Sequence, residues 1–547
     1  MDIDEPITLQ LLWQRLISIC DQADVALGRA AFSPIVREGH DYVTVLLDPR
    51  GKSVAQCTAS IPSFIGALTL AAKHFLRAFP VESLDPGDVL ITNDPWISTG
   101  HLPDITMITP IFRKGRLVAL AGNIAHMADI GGRPLSPDAS DVFEEGIRLP
   151  ILKLYKRGQP NQDVFDIIEA SVRVPNQVLG DLAGQVAAND VMARLTEEFI
   201  AANALDDLTP LGDAIHRRCE MAMRAAIRSV PDGDYVGEIT ADGFDEEIQV
   251  RAVVSVLGDR IHVDYSGSSQ QQRYGINVVP NYRYAHTVYA IKCLLDPETP
   301  NSEGALAPIS DSAPVGTVLN PAGPVAVNGR NMVGHMIPAC IFRALQTVLP
   351  DRVLADGGGA PIWALTLVGE RSDHSLFVVG QFVHGGMGAQ RGLDGLDTLS
   401  FPSNCKTTSV EMLEKSVPVL VEEKELIADS GGAGAFRGGL GQRFRLRSLS
   451  DKPMRVYLRN DKVGHPPQGL QGGQPGRRGY VAIHPGGELE QPKGTHIIPP
   501  HGVLVLETPG GGGFGEPCER EEGRSAEDLR LGLVSVERTT TRTPTSR

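Results

Sequence analysis

The chain has no Cys-x-x-Cys pair, no phosphate-binding Gly-x-x-x-x-Gly-Lys-[Ser/Thr] loop, no long apolar run and no basic cluster. Each absence removes a class. The seven cysteines, at positions 20, 57, 219, 293, 340, 405 and 518, are odd in number and scattered. That is a reduced, cytoplasmic pattern rather than a disulfide framework. Without about eighteen consecutive apolar residues, no membrane helix is expected. A net charge of -15 without basic patches disfavours nucleic acid and anionic lipid as partners. The acidic N-terminus lacks the pattern of a secretory signal. Aromatics are only 5%, so the core is expected to rest on Val, Leu, Ile and Ala.

What is present is an ordinary globular composition, 42% hydrophobic and 21% charged over 547 residues. Glycine (59) and proline (39) are abundant and predict many tight turns. Apolar spacing predicts helices over 8–32, 64–79, 161–173, 177–230 (with breaks), 282–294 and 330–347. A hairpin is predicted from Tyr42–Leu47 and Ser53–Gln56, around Asp48-Pro49-Arg50-Gly51. Strands are expected at 89–92, 235–275, 374–383, 417–428, 441–449, 454–460 and 502–507. Helix-rich and strand-rich stretches are partly segregated, which makes α+β the fold class. The expected regions are 1–232, 233–350, a Gly-rich strand region 351–517 and a disordered tail 518–547.

One feature points to chemistry. His101-Leu-Pro-Asp104 and His126-Met-Ala-Asp129 flank a second hairpin, strands near 105–112 and 117–124 around Arg113-Lys114-Gly115-Arg116. Pro103 excludes a regular helix there. A turn centred near Lys114–Gly115 sets residue 104 opposite about residue 125, bringing two imidazoles and two carboxylates together. Such a donor set suits a divalent metal, with Zn or Mn the leading candidates. The glycine clusters at 356–359, 384–388, 430–434 and 509–515 match no nucleotide fingerprint and imply tight backbone. His384 and Arg391, in His-Gly-Gly-Met-Gly-Ala-Gln-Arg, are candidate pocket residues.

Several segments together resemble the hydantoinase B/oxoprolinase family. They are Asn93-Asp-Pro-Trp96 running on to His101-Leu-Pro-Asp104, and Ala125-His-Met-Ala-Asp-Ile-Gly-Gly132. Asp429-Ser-Gly-Gly-Ala-Gly434 and Thr508-Pro-Gly-Gly-Gly-Gly-Phe-Gly515 complete the set. The resemblance covers about residues 5–517. It implies a metal held by Glu38, Asp41, His101, Asp104 and His126; Asp129, next to them in the second motif, is a candidate supporting or general-base group. It further implies a partner, an A-type subunit with an actin-like ATPase fold, in a heterotetramer or larger complex. That partner would use ATP and Mg to phosphorylate the oxygen of a small cyclic amide, and this chain would then hydrolyse the ring. The alternative is the metal-binding subunit of an ATP-dependent ketone carboxylase. A non-enzymatic subunit with a structural metal is the third reading. One departure stands out: the family's His-Ile-Pro-Val-His-like segment here has Ser60 and Ser63, in Ser60-Ile-Pro-Ser63, where histidines are usual. Glu144-Glu-Gly-Ile-Arg-Leu-Pro150 resembles a family motif to which the sequence assigns no role.

Overall fold

The first helix shows how sequence becomes architecture. Helix α1 (Pro6–Ala30) starts with Pro at its first turn, and the Glu5 carboxylate caps the amides of Ile7 and Thr8. Leu9, Leu12, Leu16, Ile19, Ala23 and Leu27 form its buried stripe. That stripe packs on the long helix Pro175–Ala202 and on the first hairpin. The structure, a computed structural model, describes residues 2–536.

The N-terminal sheet has seven strands, five of which carry the argument. They are β1 (Tyr42–Leu47), β2 (Ser53–Gln56), β3 (Val89–Thr92), β4 (Asp104–Arg113) and β5 (Arg116–His126). Their order is β2-β1-β5-β4-β3, extended by Leu152–Lys156 and Gln159–Pro160. Strands β1 and β3 are buried throughout, as are most residues of β4 and β5, because helices cover both faces. On one face Asn123 donates to the Gln185 carbonyl and to Asn189 Oδ1, both at 2.8 Å. On the other face Gly122 meets helix Ala67–Ala78. A Cβ at Gly122 would lie 2.4 Å from Leu68 Cδ2, so any larger residue would have to push the Leu68 side chain aside.

A four-stranded sheet follows, built from Gly233–Ala241, Ile248–Leu257, Arg260–Asp264 and Ile309–Ser312. Alternating burial along Ile248–Leu257 marks one face on the core, covered by helices Pro280–Leu295 and Ile337–Leu345. Two further antiparallel sheets share the last core. One contains Trp363–Glu370, Leu376–Val383, Met454–Arg459 and Gly494–Ile498; the other is built on Gln442–Ser448, Val503–Glu507 and Tyr480–His484. The fold is α+β. The strands Leu152–Lys156, Trp363–Glu370, Tyr480–His484 and Gly494–Ile498 go beyond those the spacing predicts.

The glycine clusters have one physical purpose. They let backbone pack on backbone: Gly511 N donates to Gly439 O and Gly439 N to Met387 O, each at 2.8 Å. A Cβ at Gly438 would sit 1.9 Å from Gly511 O. Tight approach explains them; most residues of these clusters have ordinary negative φ. Residues 518–536, part of the tail expected to be disordered, instead carry regular structure. Pro517–Glu519 forms a 3-10 turn and Glu522–Arg530 a helix, with Arg520 and Asp528 buried. The rest of that expected tail, 537–547, lies outside the described residues. No helix among the described residues is long and apolar enough to cross a membrane.

Candidate metal centre

Three neighbouring strand ends and one loop build the centre. Asp104 is the first residue of β4 and His126 the last of β5, and the two are directly paired. Asp41 precedes β1, and its carbonyl accepts the His126 amide at 3.0 Å. His101 arrives on the loop between β3 and β4. Gly100 before it has φ +96°, and a Cβ there would meet Arg330 Cδ at 2.7 Å. The loop can pass Arg330 this closely only because position 100 is glycine.

His101 Nε2 and His126 Nδ1 each lie 2.8 Å from Asp104 Oδ1. Asp41 Oδ2 lies 3.7 Å from His126 Nδ1. The second oxygen of Asp104 is held at 2.8 Å by Arg330 Nη2 and at 2.5 Å by Thr99 Oγ1. All of these side chains are buried, His101 and His126 at 3% exposure. The Asn328 carbonyl accepts from His101 Nδ1 at 3.2 Å, so that nitrogen carries the hydrogen. A neutral His101 therefore points the Nε2 lone pair at an anionic oxygen. Nε2 of both imidazoles is buried without a hydrogen-bond partner. Acceptor against acceptor at this distance is repulsive unless a cation lies between them.

Electrostatics favour the same state. Burial, helped by the Arg330 charge, pushes His101 down to about 3. Asp104 is held well below the usual carboxylate range against its burial; Arg330 beside it supplies the fixed positive charge, whereas His101 contributes one only when protonated. Burial raises Asp41 against the pull of His126. Neutral imidazole and ionised Asp104 are the protonation states a divalent ion requires. His101, Asp104 and His126 bring their ligand atoms within 4.8 Å of one another, and the two-His, one-carboxylate set suits a transition metal.

The surrounding loops are braced by motifs that spacing left without a role. Asn93 donates to the Leu102 and Ile147 carbonyls at 2.8 and 2.9 Å and accepts the Leu149 amide at 2.6 Å. Asp94 pairs with Arg148 Nε at 2.9 Å. Glu145 Oε1 accepts the amides of Val327 and Asn328, both at 2.7 Å. The two segments thus clamp the loops carrying His101 and Arg330.

A small cavity of about 40 Å³ opens on the centre. Asp41, His101, Asp104 and His126 line it, with apolar walls from Ile61, Phe64, Ile362 and Phe382. Tyr282, Arg330, Asn331, His335 and Arg459 complete the polar lining, and no motif had singled them out. Ser63 faces the same space, its hydroxyl 3.1 Å from Tyr282 Oη and 3.2 Å from His286 Nε2. Tyr282 and His286, four apart on helix Pro280–Leu295, share a face. Asn331 and His335 repeat the spacing. That i,i+4 pairing is the signal available in the sequence.

The remaining expected site residues lie elsewhere. Glu38 ends the short helix Pro34–Arg37, bonds to Arg37 Nε at 3.0 Å and does not line the cavity. Asp129 is buried against Arg173 Nη1 at 2.8 Å, outside the lining. His384 is buried, pushed down to about 4 by that burial, and also stands apart. Arg391 is exposed and pairs with Asp351 at 3.1 Å. Ser60 lies outside the lining, its carbonyl accepting Asn404 Nδ2 at 2.7 Å.

The family described as hydantoinase B/oxoprolinase matches residues 5–517. The caprolactamase beta subunit of Pseudomonas jessenii is 30% identical over 98% of this chain and 95% of its own. A putative D-/L-hydantoinase subunit from a Pseudomonas species is 27% identical over 98% of this chain and 94% of its own. The crystal structure of ATP-dependent caprolactamase from Pseudomonas jessenii matches with a TM-score of 0.87 at 28% identity, covering 97% of this chain and 95% of that one. Nucleotide-free acetone carboxylase shares the fold, with a TM-score of 0.85 at 20% identity over 98% and 79% of the two chains.

Proposed function

Because the chain belongs to the hydantoinase B/oxoprolinase family, we propose that it is the ring-opening subunit of an ATP-dependent cyclic amidase. A partner ATPase of the A type would activate the amide oxygen, and this chain would complete the hydrolysis. Two of the relatives are themselves named as subunits, of a caprolactamase and of a hydantoinase, which supports a partner. The observation that carries the reading is the buried contact of His101 Nε2 with Asp104, which calls for a cation.

His101, Asp104 and His126 would hold the ion, with Asp41 beside them. When bound, such an ion acidifies water and polarises a carbonyl or phosphoryl oxygen. The chain's own side chains do the rest. The Asn328 carbonyl fixes the His101 tautomer. Arg330 and Thr99 occupy the outer oxygen of Asp104, leaving the inner one to face the imidazoles. Ile61, Phe64, Ile362 and Phe382 keep bulk water from an activated ring. The Ser63 hydroxyl, backed by Tyr282 and His286, offers a hydrogen bond to a ring substituent.

Reconstitution with an A-type ATPase partner tests the proposal. ATP hydrolysis and product are followed with 5-oxoproline, hydantoins, larger lactams and simple ketones. ATP-dependent ring opening of an amide is expected. Bicarbonate-dependent turnover of a ketone would replace this reading with the carboxylase one. Ring opening by the isolated chain without ATP would sink the two-subunit scheme.

A further inference from the structure

We infer that Arg459, with Asn331 beside it, is the docking point for an oxyanion of the substrate. The inference rests on the amidase reading and names the feature of the substrate that this cavity selects.

Arg459 closes strand Met454–Arg459, where it pairs with Ala364, and turns into the cavity that holds the metal ligands. It is 5% exposed. The molecule's other buried arginines show what such a group requires. Arg283 meets Asp311 at 2.8 Å, Arg330 meets Asp104 at 2.8 Å, Arg437 meets Asp528 at 3.3 Å and Arg520 meets Asp394 at 2.8 Å. Arg459 alone among the described buried arginines has no carboxylate oxygen within 4.0 Å. Its hydrogen bond is one contact, from Nη1 to Asn331 Oδ1 at 3.3 Å. A guanidinium carries five donors, and a buried unpaired charge is costly.

Nothing else in the cavity relieves it. Burial and the like charge of Arg330 push Arg459 down to about 10, still charged at neutral pH. Asp41 attracts it, but that carboxylate faces His126 and the expected ion. With a divalent ion in place, Asp41 and Asp104 balance only the ion, and both arginine charges remain. The cavity then favours a ligand with two negative charges. A guanidinium suits planar, two-point recognition of carboxylate or phosphoryl oxygens. The oxyanion could be a phosphoryl group placed on the amide by the ATP-dependent step, or a carboxylate on the ring. The charge balance favours the phosphoryl source.

The test is calorimetric titration of the full, as-purified chain with inorganic phosphate, 5-oxoproline and 2-pyrrolidinone, the last being the same ring without a carboxylate. Saturable binding of phosphate is expected, weakened about tenfold or more in Arg459→Met with metal content unchanged. Binding of 5-oxoproline that shows the same loss, without phosphate binding, would assign the oxyanion to the carboxylate. Binding of neither anion overturns the inference. Equal affinity in Arg459→Met also overturns it, because the metal alone would then hold the anion. Should that variant not fold, crystals of the wild-type chain grown with phosphate read the same point. An ion on the Arg459 guanidinium supports the inference, and one elsewhere in the cavity refutes it. Anion binding that depends on Arg459 without ATP-dependent ring opening would defeat the amidase reading alone. Ring opening with a wild-type KM in Arg459→Met would defeat the subsite alone.

Discussion

Glu145 and Asn328, 183 residues apart, are tied by a 2.7 Å bond from the Asn328 amide to Glu145 Oε1, and the Asn328 carbonyl in turn holds His101. One buried carboxyl thereby braces the segment whose carbonyl faces His101 Nδ1. Burial pushes Glu145 up to about 8. The sign follows: folding favours the protonated acid, so its stabilising contribution is full at acid pH and fades as the pH rises from 4.5 through about 8. Glu145→Gln keeps an acceptor and cannot ionise. Scanning calorimetry between about pH 5 and about pH 9 should show the variant overtaking the wild type by several degrees on the alkaline side. A pH-independent difference would mean that Glu145 does not titrate there. Glu145→Ala should instead cost about 2 kcal/mol or more and lower the metal content, since two buried amides lose their acceptor.

The metal itself is checked by elemental analysis. Chelator-free protein should hold about one equivalent of a divalent transition metal. His126→Ala should hold less than about a tenth of that while remaining folded, because a neutral ligand is lost without adding charge. A metal-free wild-type chain would remove the basis of the proposed chemistry.

Ser63 separates specificity from metal binding. Ser63→Ala leaves Tyr282 Oη and His286 Nε2 without that partner, at about 1 kcal/mol of stability. Metal content should stay level while the relative KM values for lactams and hydantoins change. An unaltered substrate profile would reduce Ser63 to packing.

The C-terminal segment now has a stability prediction opposite to the one composition suggests. Arg520 bonds Asp394 at 2.8 Å and Asp528 at 2.6 Å, and Arg437 also reaches Asp528. Arg520→Ala removes the shortest ion pair of each carboxylate, leaving Asp528 to Arg437 and Asp394 to Arg524, and should destabilise by about 2 kcal/mol. Truncation after Pro517 should lower the unfolding midpoint, read by thermal denaturation. An unchanged midpoint would show that the helix adds nothing to the body.

The hairpin and the meeting of His101, Asp104 and His126 at its open end were legible because their determinants are local: two His-x-x-Asp motifs, alternating strands and a Lys114-Gly115 turn. Both turn residues have positive φ, as a two-residue hairpin turn demands. The expected register was off by one. A bulge between Ile111 and Phe112 adds a residue, so Asp104 faces His126 rather than residue 125. The resemblance set Glu38 with Asp41, but Glu38 caps helix Pro34–Arg37 and pairs with Arg37, outside the cavity that Asp41 lines. Arg330, His335 and Arg459 were illegible for a different reason. They reach the centre from later strands and helices, and no local pattern encodes that meeting. The tail misled because its composition is polar, whereas what orders it is ion pairing with Asp394 and Arg437.

The ligands His101, Asp104 and His126 all belong to the first quarter of the chain, yet Tyr282, Arg330, Ile362, Phe382 and Arg459 wall the cavity around them. During synthesis the hairpin and its imidazoles therefore emerge with only the Ile61 and Phe64 wall in place, long before the rest of the cavity. An ion captured at that stage would exchange freely with the medium, and its residence would lengthen only when the later sheets close over it. Retention of an ion held there would thus depend on residues outside the candidate ligand set that are made later.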